Sequence, residues 1–497
     1  MKICGVPSDC STNKTDIWLR TAAGVFFVVQ SFYLLSASGH LRGQDQEYFY
    51  RMARSLAREQ TFAIEPLVLG EAELAGVRGR DGRFYSRYAP GLPVALAPIV
   101  LLGDAMTNLS TQLQSKYRWP HQGDSDIAPR ILVSYFNLPV TALSASLLAL
   151  LLLRLGYSAM TGLIAGFGFA LTTFAWGQAR IVFAEPLQGL LLLIACSLLL
   201  NATPGRSWLG GCALGFATLV KMTSLLALPA FLLLPAKDGR LICRRRSIWA
   251  GLLIPVATAL MLYAWYDWLR FGSVTITGYA KSDESLDFSG NPLLAFYGLL
   301  LSPGRGILWF APMSIVALCG MRRFYSEQRV VGRALLVLVA GWLIIHLFYK
   351  RWDAGWGWGP RYLLPILPFL LVALPVMWRW TVGRVLCVVA LIFGALVQLP
   401  GVLADFIVAG WEGYAAFQQQ CPGCAEQDFV AWRNFTLSGC EIVHDSISVM
   451  SGNVDLALSS FRGTWLPLVT MIFAALFALI GFAILAWPRP PESKADY

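Results

Sequence analysis

Long hydrophobic runs bounded by charged residues dominate the pattern along the chain. A helix needs about 20 apolar residues to cross the hydrocarbon layer of a membrane, and most of these runs approach that length. They lack the alternation of apolar and polar residues that the wall of a membrane β-barrel shows. The pattern therefore predicts an all-α polytopic membrane protein with about twelve transmembrane helices, at roughly 17–38, 130–153, 159–176, 184–202, 207–220, 223–236, 247–268, 307–321, 334–348, 362–377, 385–400 and 465–487.

Two long polar stretches interrupt this pattern, at about 39–129 and 401–464. The short segments on the side of both chain ends hold more Lys and Arg than the short segments on the opposite side. Because basic residues in short loops concentrate on the cytoplasmic face, we expect both chain ends inside the cell and both polar stretches outside. We therefore divide the chain into a transmembrane module at 1–400, an outer loop of unassigned role at 401–464, and a last helix with a cytoplasmic tail at 465–497.

Two of the apolar stretches have a second interpretation. The stretch at 89–106 holds three prolines, and a full crossing there would reverse every later helix and move Arg244–Arg246 to the outside. We therefore interpret it as a juxtamembrane helix that lies at the outer surface. The stretch at 21–38 ends in small residues and resembles the core of a cleaved signal peptide, although it is long for one.

The composition narrows the class of protein. Of 497 residues, 56% are hydrophobic and only 14% are charged, with a net charge of +10, and the mean hydropathy is +0.58. Soluble domains carry about 25% charged residues, so a water-soluble enzyme, a disordered chain and a disulfide-dense mini-protein are excluded. The excess positive charge sits mainly at helix ends, where it orients the helices. We therefore expect a lipid bilayer as partner and no nucleic acid.

Three cysteines lie in the 401–464 loop, at Cys421, Cys424 and Cys440. The Cys-Pro-Gly-Cys spacing of the first two occurs in zinc half-sites, redox pairs and structural disulfides. We favour a disulfide with one thiol left over, because no second Cys-x-x-Cys motif or spaced histidine pair completes a zinc site. The four histidines are scattered along the chain, so we predict no metal centre.

An acidic pair follows the first predicted helix. The segment 43–50, with the sequence GQDQEYFY, places Asp45 and Glu47 at the outer surface. Burial at the mouth of a membrane cavity raises the pKa of a carboxyl group, which suits a general base that takes a proton from a hydroxyl. The alternative is that these acids are simply hydrated, or that they cap a helix at 46–58.

Basic and aromatic residues mark four further outer segments. They are RDGRFYSRYAPGLP at 80–93, RIVFAEPL at 180–187, SPGRG at 302–306 and YKRWDAGWGWGPRY at 349–362. A forked guanidinium can hold a phosphate through two hydrogen bonds. Charged residues at helix ends also snorkel to the membrane surface, so each segment alone has a second explanation. Together with the acidic segment, these loops bring to one leaflet Asp45, Arg87, Glu185, Arg305 and Arg361.

In this order of features the chain resembles the membrane-embedded GT-C glycosyltransferases of the protein O-mannosyltransferase and lipid A aminoarabinose transferase group, which use a polyprenyl-phosphate sugar as donor. The family's Asp-x-Glu motif after the first span is similar to Asp45-Gln46-Glu47, and the resemblance implies that Asp45 is the catalytic base. The family's basic residue ahead of a proline-containing juxtamembrane helix contacts the donor phosphate, and Arg87 is similar in place. The segments that contain Glu185 and Arg361 look like two further elements of the family.

The resemblance is clearest over about 16–205 and 300–370, and the 401–464 loop matches nothing in the family. In the aminoarabinose branch the basic segment is commonly Lys-Pro, whereas here two residues separate Arg87 from Pro90. This departure leaves the sugar and the acceptor open.

We therefore predict a GT-C-like glycosyltransferase of the inner (cytoplasmic) membrane, which moves a sugar from a polyprenyl-phosphate donor to an acceptor hydroxyl on the outer, periplasmic face. A single displacement predicts inversion of the anomeric configuration. The acceptor is a glycan, a glycolipid or a protein, and Glu47 either orients it or holds a divalent cation. The predicted site comprises Asp45 and Glu47 for catalysis; Arg87, Arg305, Arg361, Lys350 and Arg351 for the donor phosphate; and Tyr48, Tyr85, Tyr88, Arg180, Glu185, Trp356, Trp358 and Tyr362 for the substrates.

Two other functions would use the same features. A transporter or flippase of a lipid-linked sugar would place charged residues near the bilayer midplane, whereas the conspicuous charges here collect at one surface. A ligase or polymerase of cell-envelope glycans shares the donor, and the long 401–464 loop keeps this alternative open.

Overall fold

A computed structural model of the chain describes residues 9–69, 72–74, 76–106, 108, 113, 116, 126–282 and 286–487. The predicted cytoplasmic tail therefore lies outside the described residues from position 488 onward. So does a part of the first outer stretch, between its second helix and residue 126.

Helices make up most of the described chain. The first half contains α1 (Asp9–Leu35), α2 (Gln44–Glu59), α3 (Gly91–Ala105), α4 (Ile127–Ser134), α5 (Asn137–Arg154), α6 (Ala159–Leu171), α7 (Ala175–Ala179), α8 (Ala184–Leu199), α9 (Pro204–Val220), α10 (Ala227–Leu232) and α11 (Arg246–Phe271). The second half contains α12 (Pro292–Leu300), α13 (Ile307–Phe310), α14 (Pro312–Glu327), α15 (Arg329–Phe348), α16 (Leu367–Leu370), α17 (Leu374–Trp378), α18 (Thr381–Leu403), α19 (Phe406–Gln420), α20 (Glu426–Phe435), α21 (Glu441–Met450), α22 (Ala457–Ser460) and α23 (Leu466–Ala486). Short 3₁₀ helices lie at Met222–Leu226, Ile242–Arg244, Tyr279–Lys281, Arg361–Ile366 and Leu371–Ala373.

Seven helical stretches of the described chain are long and apolar enough to cross a membrane, and four shorter apolar helices accompany them. The prediction of a helical integral membrane protein is thus confirmed. Every predicted apolar run contains a helix, but several of these helices are too short to count as spans by themselves. The seven stretches are Thr15–Leu35, Ile127–Arg154, Arg246–Phe271, Arg329–Phe348, Arg361–Trp378, Thr381–Leu403 and Leu466–Ala486.

The first and last spans pack side by side, and α1 also packs against α5. Small residues allow close helix contacts elsewhere in the bundle. A methyl group at Gly211 of α9 would lie 2.7 Å from the carbonyl oxygen of Leu252 in α11, so the two backbones are in direct contact there. Membrane helices associate through such small-residue interfaces, because lipid offers no hydrophobic driving force between helices.

The first outer stretch holds two helices and five short strands. The amphipathic α2 packs on the proline-containing α3, which forms in the stretch for which a juxtamembrane helix was predicted. The strands are β1 (Ala63–Ile64), β2 (Leu67–Leu69), β3 (Ala72–Leu74), β4 (Val77–Arg78) and β5 (Phe84–Tyr85). β5 pairs antiparallel with β1 and β4, and β2 pairs with β3. The all-α prediction missed these strands, because two or three residues are too few to show an alternating pattern.

The second outer stretch forms a helical layer that we call the cap. The cap comprises residues 404–464 and begins at 404, since α18 continues to Leu403. Four helices, α19 to α22, build the cap. A disulfide joins Cys421 to Cys424, and Cys440 is a buried free thiol, in agreement with the favoured interpretation. Among the described residues, no group of three or more His, Cys, Asp or Glu side chains could hold a metal ion.

Candidate functional site

A cavity of about 230 Å³ lies where α2, the 87–89 segment, the first turn of α8, the ends of α9 and α15, and the residues around 361 meet. Its lining mixes charged and polar residues with apolar and aromatic ones. We call the first set the polar wall, which includes Asp45, Arg87, Tyr88, Glu185, Lys221 and Arg361, and the second set the apolar wall, which includes Val220, Met222, Tyr263, Leu286, Phe288 and Ile345.

Asp45 lies in the first turn of α2 and faces two arginines. The hydroxyl of Tyr88 donates a hydrogen bond of 2.5 Å to its Oδ1 atom. Nη2 of Arg87 lies 3.5 Å from the same Oδ1, and Nη2 of Arg361 lies 3.6 Å from Oδ2. Three of the predicted residues, from three distant segments, therefore meet around one carboxylate.

Tyr88 lies between the acid and the first of these arginines. Nη2 of Arg87 donates a hydrogen bond of 2.9 Å to the Tyr88 hydroxyl, which in turn donates to Asp45. Burial raises the pKa of Tyr88 well above its usual value, and the neighbouring Asp45 carboxylate raises it further. Tyr88 therefore keeps its proton and remains a hydrogen-bond donor to Asp45.

A second ion pair completes the polar wall. Glu185, in the first turn of α8, accepts a contact of 2.7 Å from Nζ of Lys221, which follows the end of α9. The ammonium group of Lys221 also lies 4.4 Å from the ring centroid of Tyr362. The guanidinium of Arg361 lies 4.2 Å from the ring centroid of Phe183. The positive charges are thus held by aromatic faces as well as by carboxylates.

Sequence reasoning did not predict Lys221 as a site residue. The signal that could have found it is its position as a lone cation between the apolar runs 207–220 and 223–236. Such a residue has no hydrophilic loop around it, so a partner inside the protein is expected. Its partner, Glu185, was among the predicted residues.

The outer end of α11 holds the segment that carries Arg87. Arg270 is fully buried, pairs with Asp267 at 2.5 Å, and donates a hydrogen bond of 2.7 Å to the carbonyl of Ser86. The hydroxyl of Tyr266 donates to the carbonyl of Tyr88. These side chains fix the backbone on both sides of Arg87. The sequence signal was an Asp-x-x-Arg spacing, which places both residues on one helix face.

The start of α2 is held in a similar way. The side-chain Nε2 atom of Gln46 donates to the carbonyl of Arg42. Its Oε1 atom accepts a hydrogen bond of 3.3 Å from the backbone N–H of Val182. Gln46 is buried. It therefore ties the residue next to Asp45 to the segment that leads into α8.

Glu47 does not face the cavity, which corrects its predicted role. Its side chain is fully buried and forms ion pairs with Arg130 of α4 and Arg51 of α2. Both carboxylate oxygens are engaged by arginines. The residue therefore joins α2 to α4, and neither acceptor orientation nor cation binding by Glu47 fits this arrangement.

Arg180 also lies outside the cavity. Its buried guanidinium donates to the carbonyls of Ser36, Gly401 and Ala404, and it pairs with Asp455 of the cap at 3.3 Å. These partners sit at the ends of α1 and α18. Arg180 was predicted to contact the substrates. Its N–H donors bind groups of the protein instead, so its role is structural.

Arg305 is likewise fully buried and makes no contact with the cavity. Its guanidinium donates to backbone carbonyls of the 355–359 segment and pairs with Glu441 of the cap at 2.6 Å. Lys350 pairs with Asp287 at the surface, at 3.1 Å, and Arg351 is exposed. None of these three predicted phosphate ligands lines the cavity.

Four of the predicted aromatic residues also lie behind the cavity wall. Tyr48 packs edge-on against Tyr88, with ring centroids 6.1 Å apart. The hydroxyl of Tyr85 donates to Asp81. Trp358 is buried and donates to Gln398, whereas Trp356 stacks on a tryptophan of the cap. Of the predicted residues, the cavity therefore gathers Asp45, Arg87, Tyr88, Glu185, Arg361 and Tyr362.

No protein family and no curated protein matches the sequence. Among solved structures, the chain is similar to ArnT from Cupriavidus metallidurans bound to undecaprenyl phosphate, with a TM-score of 0.47 and 12% sequence identity over 94% of this chain and 77% of that chain. The apo state of the same protein gives a TM-score of 0.44 and 14% identity over 96% of this chain and 78% of that chain.

Proposed function

We propose that this protein is an integral membrane glycosyltransferase of the GT-C type, which transfers a sugar from a polyprenyl-phosphate donor to an acceptor hydroxyl with inversion. The observation that supports this most is the convergence of Asp45 with Arg87 and Arg361 in a cavity that is also lined by apolar residues. One carboxylate can serve as the base, while two guanidiniums match a leaving phosphate. The apolar wall suits a lipid chain.

In the proposed reaction the acceptor hydroxyl loses a proton and the donor phosphate leaves with an electron pair. The acceptor hydroxyl attacks the anomeric carbon and forms the new glycosidic bond, while the bond from that carbon to the phosphate oxygen breaks. The phosphate leaves with the electron pair, and the hydroxyl proton passes to Asp45. Because the acceptor and the leaving group occupy opposite faces of the sugar, one displacement inverts the configuration.

Arg87 and Arg361 are proposed to stabilise the departing phosphate. Their guanidiniums lie on the two sides of Asp45, at 3.5 Å and 3.6 Å from its oxygens. Charge-assisted hydrogen bonds from arginine to phosphate strengthen in a cavity that excludes most water. Tyr88 holds the Asp45 carboxylate in place by its hydrogen bond of 2.5 Å.

The lipid chain of the donor is proposed to leave the cavity along its apolar wall, between α11 and α15. Tyr263 of α11 and Ile345 of α15 face the cavity from these two helices. A polyprenyl phosphate is also the ligand named for one of the ArnT structures.

The proposed topology has about twelve crossings, with both chain ends in the cytoplasm and the cavity on the periplasmic side of the inner membrane. The positions of the charged residues support a transferase site near one membrane surface more than they support a transport site. Glu185 and Lys221 lie at the ends of α8 and α9, and not at their centres. A transport site usually sits near the bilayer midplane.

The experiment that tests the function uses the purified full chain in lipid nanodiscs with a panel of polyprenyl-phosphate sugars. Released polyprenyl phosphate is measured with and without glycan, glycolipid and peptide acceptors. We expect release with at least one donor and the matching acceptor. Absence of release from every donor, together with movement of a lipid-linked sugar across the membrane of a proteoliposome, would replace the transferase by a flippase.

A further inference from the structure

The loop at 353–361 ends at the cavity but lies mostly outside it. Its backbone turns twice, because Ala354 and Gly355 have φ angles of 63° and 61° and Gly359 has a φ angle of 66°. Such left-handed conformations suit glycine and are rare for alanine. The turns direct the carbonyls of alternate residues toward one point inside the protein.

Arg305 occupies that point. Its guanidinium donates to the carbonyl oxygens of Gly355 at 2.5 Å and Gly359 at 3.3 Å, and also to that of Gly357. Its fourth acceptor is Oε2 of Glu441 in the cap, at 2.6 Å. The residue is 0% exposed. The loop therefore wraps around a single side chain from a different part of the sequence.

One hydrogen bond links this arrangement to the cavity. The carbonyl of Gly359, which accepts from Arg305, also accepts a hydrogen bond of 2.9 Å from the backbone N–H of Arg361. Arg361 then places its guanidinium 3.6 Å from Asp45. The position of one cavity arginine is thus set by another arginine that does not touch the cavity.

The cap holds the same loop from its outer side. Arg433 of α20 pairs with Asp353 at 2.5 Å, and both side chains are buried. Trp411 of α19 stacks on Trp356, with ring centroids 4.7 Å apart and an angle of 20° between the rings. Together with Glu441, the cap therefore contacts the loop at its start, in its middle and through Arg305.

We propose that Arg305 is a positioning residue for Arg361, and that the cap, through Glu441, fixes Arg305 so that Arg361 meets the donor phosphate. This inference rests on the proposed function. Arginine is required because it presents several N–H donors in one rigid plane, whereas lysine has a single flexible ammonium group and cannot hold three separated carbonyls.

The test uses the full chain in nanodiscs and four variants: Arg305→Lys, Arg361→Ala, the two combined, and Glu441→Gln. The readouts are kcat and KM for the polyprenyl-phosphate sugar, and the affinity for polyprenyl phosphate itself. Arg305→Lys is expected to lower kcat/KM for the donor about tenfold, with a higher KM and a lower kcat, because Arg361 meets the phosphate both in the bound donor and as it departs. Glu441→Gln is expected to act in the same direction and more weakly, and its kinetics decide the outcome if Arg305→Lys does not fold.

The double variant separates positioning from general stability. If Arg305 acts through Arg361, Arg305→Lys changes donor KM by less than about twofold in the Arg361→Ala background. Full additivity would overturn the proposal. The matched control is Arg154→Lys, since Arg154 also donates to backbone carbonyls, those of Ser197 and Leu200, at a site that does not line the cavity. A wild-type protein that does not bind polyprenyl phosphate would overturn the proposed function itself, and this inference with it.

Discussion

The hydroxyl of Tyr88 donates a hydrogen bond of 2.5 Å to the Oδ1 atom of Asp45, and 43 positions separate the two residues in the chain. The contact joins the surface helix α2 to the segment that precedes α3. It orients the carboxylate so that its second oxygen faces Arg361. The proposed base is therefore fixed before any substrate enters.

Replacing Asp45 by asparagine is expected to abolish most transfer. The change keeps the shape of the side chain but removes the proton acceptor, and general-base catalysis contributes about 10²–10⁴-fold to rate. Steady-state turnover of the polyprenyl-phosphate sugar measures the effect. Glu65→Gln is the control, since Glu65 is an exposed acid of the same outer stretch and does not line the cavity. Turnover of Asp45→Asn at the wild-type rate would refute the base assignment.

Replacing Tyr88 by phenylalanine is expected to lower kcat about tenfold, because the hydrogen bond that orients the Asp45 carboxylate is lost. We expect little change in thermal stability. The matched control is Tyr85→Phe, whose hydroxyl binds Asp81 outside the cavity. We expect the control to keep turnover within about twofold of wild type. Equal losses in both variants would mean that the hydroxyl of Tyr88 has no special relation to Asp45.

Replacing Lys221 by methionine is expected to destabilise the protein by about 2 kcal/mol, since a buried carboxylate without its partner is costly and Lys221 itself is partly exposed. Glu185 loses its contact of 2.7 Å with the ammonium group in this variant. The double change Lys221→Met with Glu185→Gln is expected to recover most of the loss. Thermal unfolding in nanodiscs gives both values, and a double variant less stable than the single one contradicts the argument.

The stability of the first outer stretch is expected to depend on pH through Asp126. Burial alone raises the pKa of this carboxyl group, but the hydrogen bond from Arg58 and the positive charges of Arg54 and Arg58 together outweigh burial and hold the pKa below its usual value. Its contribution is therefore present above the usual aspartate pKa of about 3.9 and is lost as the pH falls through the lower folded value.

Asp126→Asn measures this contribution. We expect the variant to be less stable than wild type by about 1–2 kcal/mol at neutral pH, because one charged hydrogen-bond partner of Arg58 becomes neutral. The difference should stay constant down to about pH 5 and shrink below about pH 4. A difference that grows with acid would show that the pKa of Asp126 is raised in the folded protein.

The hydrophobic pattern assigned the charged residues at several helix ends to one face of the membrane. For this reason Asp45, Arg87 and Arg361 were all predicted as site residues, and the structure brings them together. Each begins or precedes a helix, and the predicted topology places all three at the same leaflet. The apolar runs predicted the helices for the same reason, since period and length are local properties.

The sequence did not separate Arg361 from Arg305 or Arg180. All three are outer arginines beside glycine or aromatic residues, and local sequence does not reveal whether a guanidinium meets backbone carbonyls or a cavity. The guanidiniums of Arg305 and Arg180 donate hydrogen bonds to backbone carbonyls of segments that contact or begin the cap. Lys221 was missed because its partner lies on another helix, at a long distance in sequence.

The ion pairs of the cap impose an order on assembly of the chain. Arg42, Arg180 and Arg305 all precede their acidic partners Asp405, Asp455 and Glu441 in the chain, by between 136 and 363 residues. During translation these arginines are therefore made before the cap that pairs with them. Arg42, Arg180 and Arg305 therefore reach their final hydrogen-bonded positions only after the residues from Asp405 to Asp455 have been synthesised.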